Sequence, residues 1–256
     1  MMEKLGKVTI TKENKIATID FFHPKSNSLP SYMLREMKEA FEKFSSDPSI
    51  NVIVLRSGGN KAFCAGASFD ELLKIENYEQ GKEFFMGFAR LINSMRKCKK
   101  IIIGRIHNKV VGGGVGLVAA TDYALATRNA SLRLSELALG LGPFVVGPPI
   151  ERKIGIEKFE TMALDCKWRD AVWAKESGFY HDVYETDEEL DEAVSALAES
   201  LASRSQDALE SLKKIFWENT EHWDALLEQR AENSGRLVLS DYTKKFLEDF
   251  KSKKKK

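Results

Sequence analysis

Val110-Val111-Gly112-Gly113-Gly114-Val115-Gly116-Leu117 follows the apolar run Ile101-Ile102-Ile103. Three glycines where an extended segment gives way to a helical pattern let backbone N–H groups face a ligand with no side chain between. Such a turn offers hydrogen-bond donors and the positive end of a helix dipole to an oxygen that is gaining negative charge. Tight packing alone can also call for a glycine turn. Nucleotide phosphate is a poor match. A dinucleotide fingerprint needs a glycine at the sixth position from Gly112, where Leu117 stands, and neither Gly6-Lys7-Val8 nor Gly81-Lys82-Glu83 completes a phosphate-cradling loop. The chemistry that remains is that of a carbonyl or enolate oxygen.

Two further pieces fit that chemistry. Lys61-Ala62-Phe63-Cys64-Ala65-Gly66-Ala67-Ser68-Phe69 is a second small-residue loop, placed so that the Ala67 N–H could be a donor. Leu132-Arg133-Leu134-Ser135-Glu136-Leu137 sets an acid at a strand end in apolar surroundings, ahead of Gly140-Leu141-Gly142-Pro143-Phe144. An acid so placed is either a partner in a structural ion pair or a general base tuned by burial. Other chemistries lack their parts. His23, His107, His181 and His222 show no metal-binding spacing, and there is no G-x-S-x-G nucleophile. Cys64 sits in the second loop without a nearby histidine to activate it.

The elements that must position these pieces alternate. Lys7–Thr11 and Ile16–Phe22 read as strands joined by a turn at Glu13-Asn14, and Pro30 opens a helix marked by Met33, Met37, Phe41 and Phe44. Asn51–Leu55 and Ile101–Ile106 read as buried strands, with a loop over Ser57–Ala67 and helices over Phe69–Ile75 and Glu79–Arg96. The glycine turn starts a helix through Ala120, and Asp122–Thr127 and Ser131–Leu134 are further strands. Beyond Pro149 nearly everything reads as helix, apart from Val183-Tyr184. The expectation is an α/β core with a helical C-terminal region.

At 256 residues the chain can bury a large core, and its formal net charge of +1 gives no reason to expect nucleic acid or an anionic membrane as partner. The basic run Lys253–Lys256 reads as a solvated end. Cys64, Cys98 and Cys166 are widely spaced and odd in number, as reduced thiols in a reducing compartment would be. No signal-peptide pattern opens the sequence, and Arg105, His107 and Lys109 interrupt its longest apolar region, so a cytoplasmic location is expected.

Taken in order, Asn27-Ser28-Leu29, Phe63-Cys64-Ala65-Gly66-Ala67, Val111-Gly112-Gly113-Gly114, Ala120-Thr121-Asp122, Ser135-Glu136, Gly140-Leu141-Gly142 and the helical tail resemble the crotonase superfamily, the enoyl-CoA hydratase/isomerase family. The resemblance covers nearly the whole chain. It implies a spiral of repeated β-β-α turns over residues 1–195 and a C-terminal helical trimerisation region over 196–256, with a homotrimer or a dimer of trimers as the assembly. It implies an acyl-CoA thioester as substrate, with coenzyme A arriving on that substrate and no separate cofactor or metal. The thioester oxygen would lie between the N–H groups of Ala67 and Gly113, with Glu136 as the acid–base group. Lys25, Ser26, Ala65, Ser68, Phe69, Gly112 and Phe144 would contact substrate. Phe246 and Phe250 could close a neighbouring subunit's pocket, although helical core packing accounts for the same spacing.

Family hydratases that use two glutamates place one at the position of Gly116 and the other at Glu136. This chain keeps the second only. One carboxylate suffices to carry a proton between two carbons, which favours double-bond isomerisation of an enoyl-CoA. Aryl-CoA dehalogenation would need an aspartate where Val145 and Val146 stand. Three alternatives stay open: hydration with water placed by another group, a non-catalytic homologue that binds acyl-CoA, and thioester hydrolysis or decarboxylation at the same enolate-stabilising site.

Overall fold

The computed structural model describes residues 5–254, apart from the side chains of 250, 251, 253 and 254. Phe250 and the basic side chains of the Lys253–Lys256 tail therefore lie outside the described residues. The fold opens with β1 (Lys7–Glu13) and β2 (Ile16–Phe22), an antiparallel hairpin. Its turn falls on Asn14-Lys15, at φ 48° and 66°, one residue later than the sequence suggests. A two-residue hairpin loop needs both central residues left-handed, a conformation that asparagine tolerates well.

After α1 (Ser31–Ser45) come three repeats of one plan. A long strand is followed by a three-residue strand and then by helix: β3 (Val52–Ser57), β4 (Ala62–Cys64), α2 (Phe69–Leu72) and α3 (Tyr78–Lys97). The second repeat is β5 (Ile101–Ile106), β6 (Lys109–Val111) and α4 (Gly113–Ala119). The third is β7 (Tyr123–Thr127), β8 (Ser131–Arg133), a 3-10 turn at Leu137–Leu139, and α5 (Gly147–Ile154). The long strands join β9 (Asp182–Tyr184) in a sheet ordered β1-β2-β3-β5-β7-β9, and the short ones form a second, parallel sheet β4-β6-β8. This is the spiral of β-β-α turns. The strands β4 and β6 are absent from the sequence reading because three residues are too few to show a period.

Every residue of β5 is buried, as expected of a central parallel strand covered on both faces. One face meets the main core, built around Phe21, Phe41, Phe44, Phe63 and Ile102. The other is covered by α8 (Asp187–Ala202), whose Leu190, Val194 and Ala198 pack on Val54, Ile103 and Leu125. Helices α6 (Ile156–Asp165) and α7 (Ala171–Glu176) precede it.

The last three helices lie against this core. In α9 (Gln206–Phe216) Lys213 Nζ reaches Asp122 Oδ2 at 2.8 Å, and Trp217 Nε1 donates to Asp122 Oδ1 at 2.8 Å. Helix α10 (Trp223–Leu237) crosses α3 where two glycines meet; a β-carbon on Gly235 would lie 2.6 Å from the Lys82 nitrogen. Helix α11 (Asp241–Lys254) comes back over the 3-10 turn. Among the described residues no helix is long and apolar enough to cross a membrane.

Candidate active site

The small sheet explains why three distant segments meet. Its parallel strands β4, β6 and β8 end side by side, and the chain leaving each end carries Gly66-Ala67, Gly112-Gly113 or Glu136. Ligands of α/β folds commonly gather at such carboxyl ends. The first two segments touch at Gly66, where φ is +88° and a β-carbon would sit 3.0 Å from the Val111 carbonyl oxygen.

Ala67 is bridged to Leu29, which donates its N–H to the Gly66 carbonyl at 2.8 Å and accepts from the Ser68 N–H at 3.1 Å. In that pattern the Ala67 N–H points away from Leu29. Neither it nor the Gly113 N–H, at the first position of α4, donates a hydrogen bond among the described residues. Both residues are half-buried between buried neighbours, and both line one cavity of about 220 Å³. Two free donors at one cavity wall can hold an anionic oxygen.

Glu136 enters the same cavity. Its backbone carbonyl accepts from the N–H groups of Leu139 and Leu141, both at 3.0 Å, and its Oε2 accepts from the Ser135 N–H at 2.8 Å. Burial pushes the carboxyl up from 4.5 to about 7, against the lowering effect of hydrogen bonds from its own N–H and that of Ser135. Glu136 is half-buried and part of the cavity wall. Among the described residues it is the one ionisable side chain on the cavity wall. The rest is mostly apolar, including Phe84, Phe85 and Phe88 of α3, with Ser135 and Ser234 as hydroxyls. Gly116 is buried behind the cavity wall, where a β-carbon would lie 2.4 Å from Cβ of the wall residue Val146.

Of the residues singled out in the sequence, Ala65, Ala67, Phe69, Gly112, Gly113, Glu136 and Phe144 line the cavity. Lys25, Ser26 and Ser68 do not. Lys25 pairs with Asp70 at the surface, the Ser26 carbonyl accepts from the Ala65 N–H at 3.2 Å, and the Ser68 hydroxyl caps α2 by accepting from the Glu71 N–H. Phe246 packs in its own chain, in the cluster of Leu72, Leu141, Val238 and Leu247 behind the cavity wall. Phe84, Phe85, Phe88 and Ser234 were not anticipated, because cavity-facing positions of an amphipathic helix have the same spacing as core-facing ones. Asn27 holds the rim together: its side chain accepts from the His23 N–H and donates to the carbonyls of Gly58 and Ala62, all at 2.8 Å. Burial raises the Cys64 thiol to about 12, which makes it a poor nucleophile. No group of histidine, cysteine, aspartate or glutamate suited to a metal occurs among the described residues.

A peroxisomal Delta(3,5)-Delta(2,4)-dienoyl-CoA isomerase of Arabidopsis thaliana is 26% identical over 76% of this chain and 74% of its own. A probable enoyl-CoA hydratase of Bacillus subtilis is 24% identical over 98% of both chains. The crystal structure of an enoyl-CoA hydratase from Bacillus halodurans superposes with a TM-score of 0.89 at 22% identity, over 94% of this chain and 99% of that one, and so has the same fold. The sequence model described as enoyl-CoA hydratase/isomerase matches residues 11–256, and the chain belongs to that family, within the crotonase superfamily.

Proposed function

We propose that this protein isomerises the double bond of an enoyl-CoA, with Glu136 as a single proton shuttle. The observation that carries this reading is that Glu136 is the one ionisable side chain lining the cavity among the described residues. Val146 occupies the space a second acid at Gly116 would need. In the proposed step the Glu136 carboxylate removes a proton from carbon 2 of a 3-enoyl-CoA. The C–H electrons move toward the thioester, and the oxygen takes the charge as a dienolate. The N–H groups of Ala67 and Gly113 hold that oxygen, each such donor contributing about 3–4 kcal/mol to the transition state. Glu136 then returns the proton to carbon 4, giving the 2-enoyl-CoA and restoring the carboxylate. A carboxyl poised at about 7 can both take and give that proton near neutrality.

In this reading coenzyme A would lie at the rim beside Ser26 and Ala65, which are joined by a backbone hydrogen bond, next to the Lys25–Asp70 pair. Assembly into a trimer draws support from the apolar side chains that α9 exposes, Leu212, Ile215 and Phe216, and light scattering tests it. Hydration is the second reading, supported by the name of the Bacillus subtilis relative. Incubation with 3-hexenoyl-CoA and, separately, 2-hexenoyl-CoA in deuterated water, followed by chromatography that resolves the two isomers and by mass spectrometry, separates the two. Conversion of the 3-enoyl to the 2-enoyl compound is expected. A 3-hydroxyacyl product without isomerisation would overturn the isomerase reading.

A further inference from the structure

A second cavity, of about 300 Å³, lies behind the first. The two share one stretch of wall, Leu141-Gly142-Pro143-Phe144, part of the irregular segment between the 3-10 turn and α5. Phe144 sits on Gly142 so closely that a β-carbon on that glycine would lie 2.4 Å from the ring's Cζ. Aromatic ring and bare backbone thus form a partition one side chain thick. Beyond it, Phe159 closes against Gly147, where a β-carbon would be 2.8 Å from its Cζ, and Ala163 continues the apolar lining to the exposed Leu164 and Leu137, where the chamber meets solvent. The charged side chains of this second chamber, Glu151 and Arg230, come from α5 and α10.

We propose that Phe144 sets the acyl-chain length this protein accepts: a short chain ends against its ring, and a longer one must displace the ring to enter the second chamber. The proposal rests on the acyl-CoA reading of the first cavity. Three observations support it. The two chambers adjoin at this one wall, both are mainly apolar, and the partition is a side chain on a turn and not a sheet or a helix. Each methylene buried in an apolar chamber strengthens binding roughly fourfold, so affinity should climb with chain length until the ring is reached.

The test is calorimetric binding of saturated butanoyl-, hexanoyl-, decanoyl- and tetradecanoyl-CoA, which report on the pocket without turnover. For the unaltered protein, affinity should rise from butanoyl to hexanoyl and break before tetradecanoyl. Phe144→Ala should raise the ratio of tetradecanoyl to hexanoyl affinity by about tenfold or more, with Phe144→Leu in between. The second variant decides the matter if the first does not fold. Affinity that climbs through tetradecanoyl without a break, or a ratio unchanged in both variants, would overturn the partition while leaving the acyl-CoA site intact. Absence of binding at every chain length would overturn the site's reading and the partition together.

Discussion

The backbone of Gly112 lies directly against the carboxyl of Glu136: a β-carbon at Gly112 would sit 3.0 Å from Oε1. Gly112 itself has φ +53° and ψ −117°, a conformation open to glycine almost alone. The turn that presents the Gly113 N–H therefore also sets the position of the acid. Gly112→Ala should cost about 1–3 kcal/mol of stability through backbone strain and shift the carboxyl off its place. Urea unfolding together with turnover of 3-hexenoyl-CoA checks this. Unchanged turnover would mean that the contact between residues 112 and 136 has no part in the chemistry.

The acid must be ionised to take a proton. With its carboxyl at about 7, kcat/KM for a 3-enoyl-CoA should fall about tenfold per pH unit below that value and level off above it. Glu136→Gln should lose about 10²–10⁴ in kcat and the acid limb with it, while still binding acyl-CoA. An acid limb that survives in the glutamine variant would assign the titration to another group.

The same shift makes a prediction about stability. The folded chain holds the Glu136 proton more tightly than the unfolded chain, whose carboxyl titrates near 4.5. That contribution is complete below 4.5 and is lost as pH rises through about 7. Glu136→Gln, neutral throughout, should match the parent near pH 4 and exceed it at about pH 8 by up to about 3 kcal/mol. Melting temperatures at the two values would show it. Equal gains at both would trace the effect to packing and not to charge.

Gly116 and Val146 bear on the choice of reaction. Adding a glutamate at Gly116 inserts a side chain where the β-carbon alone would meet Val146 Cβ at 2.4 Å. Overpacking of this kind costs about 1–3 kcal/mol. Gly116→Glu should therefore destabilise the protein without creating a hydratase, and Val146→Gly in the same chain should recover part of the loss. Hydratase activity in the single variant would show that the segment around Val146 yields more readily than its packing implies.

Much of this site was legible in the residues because its parts are local. A glycine turn that frees N–H groups is written in Gly112-Gly113-Gly114, and Glu136 stands out as an acid among leucines. The long strands were legible for a similar reason, since unbroken apolar runs such as Ile101–Ile106 mark buried parallel strands. What brings the parts together was not legible. Strands β4 and β6 are three residues each, and their pairing with β8 spans some seventy residues of sequence from Ala62 to Ser131. Ser68 shows the converse problem: a hydroxyl at a loop–helix junction suits a ligand or a helix cap equally, and the structure puts it on the cap.

The side chains of Lys213 and Asp122 are each 3% exposed and join α9 to the start of β7. Asp122 also accepts from the Ile102 N–H at 2.7 Å and the Trp217 indole at 2.8 Å, so Lys213 is the cation in direct contact with an otherwise hydrogen-bonded carboxylate, and buried Lys153 acts on it from farther away. Lys213→Met keeps the apolar stem and removes that cation, leaving a buried charge whose loss of partner costs about 3–5 kcal/mol. Asp122→Asn in the same chain removes the stranded charge and should recover part of the loss. Trp217 and Trp223 pack edge to face at 5.9 Å beside this pair, so in a chain with Trp168 and Trp173 changed to phenylalanine, used as the parent here, fluorescence follows the C-terminal helices, whereas circular dichroism follows the whole chain. Because α9 is anchored to the strand core and α10 is packed on α3, both signals should move together in urea, in the parent and in the variant. A fluorescence transition that precedes the dichroism change in the parent protein would show that the helical region unfolds on its own and that this ion pair does not join it to the core.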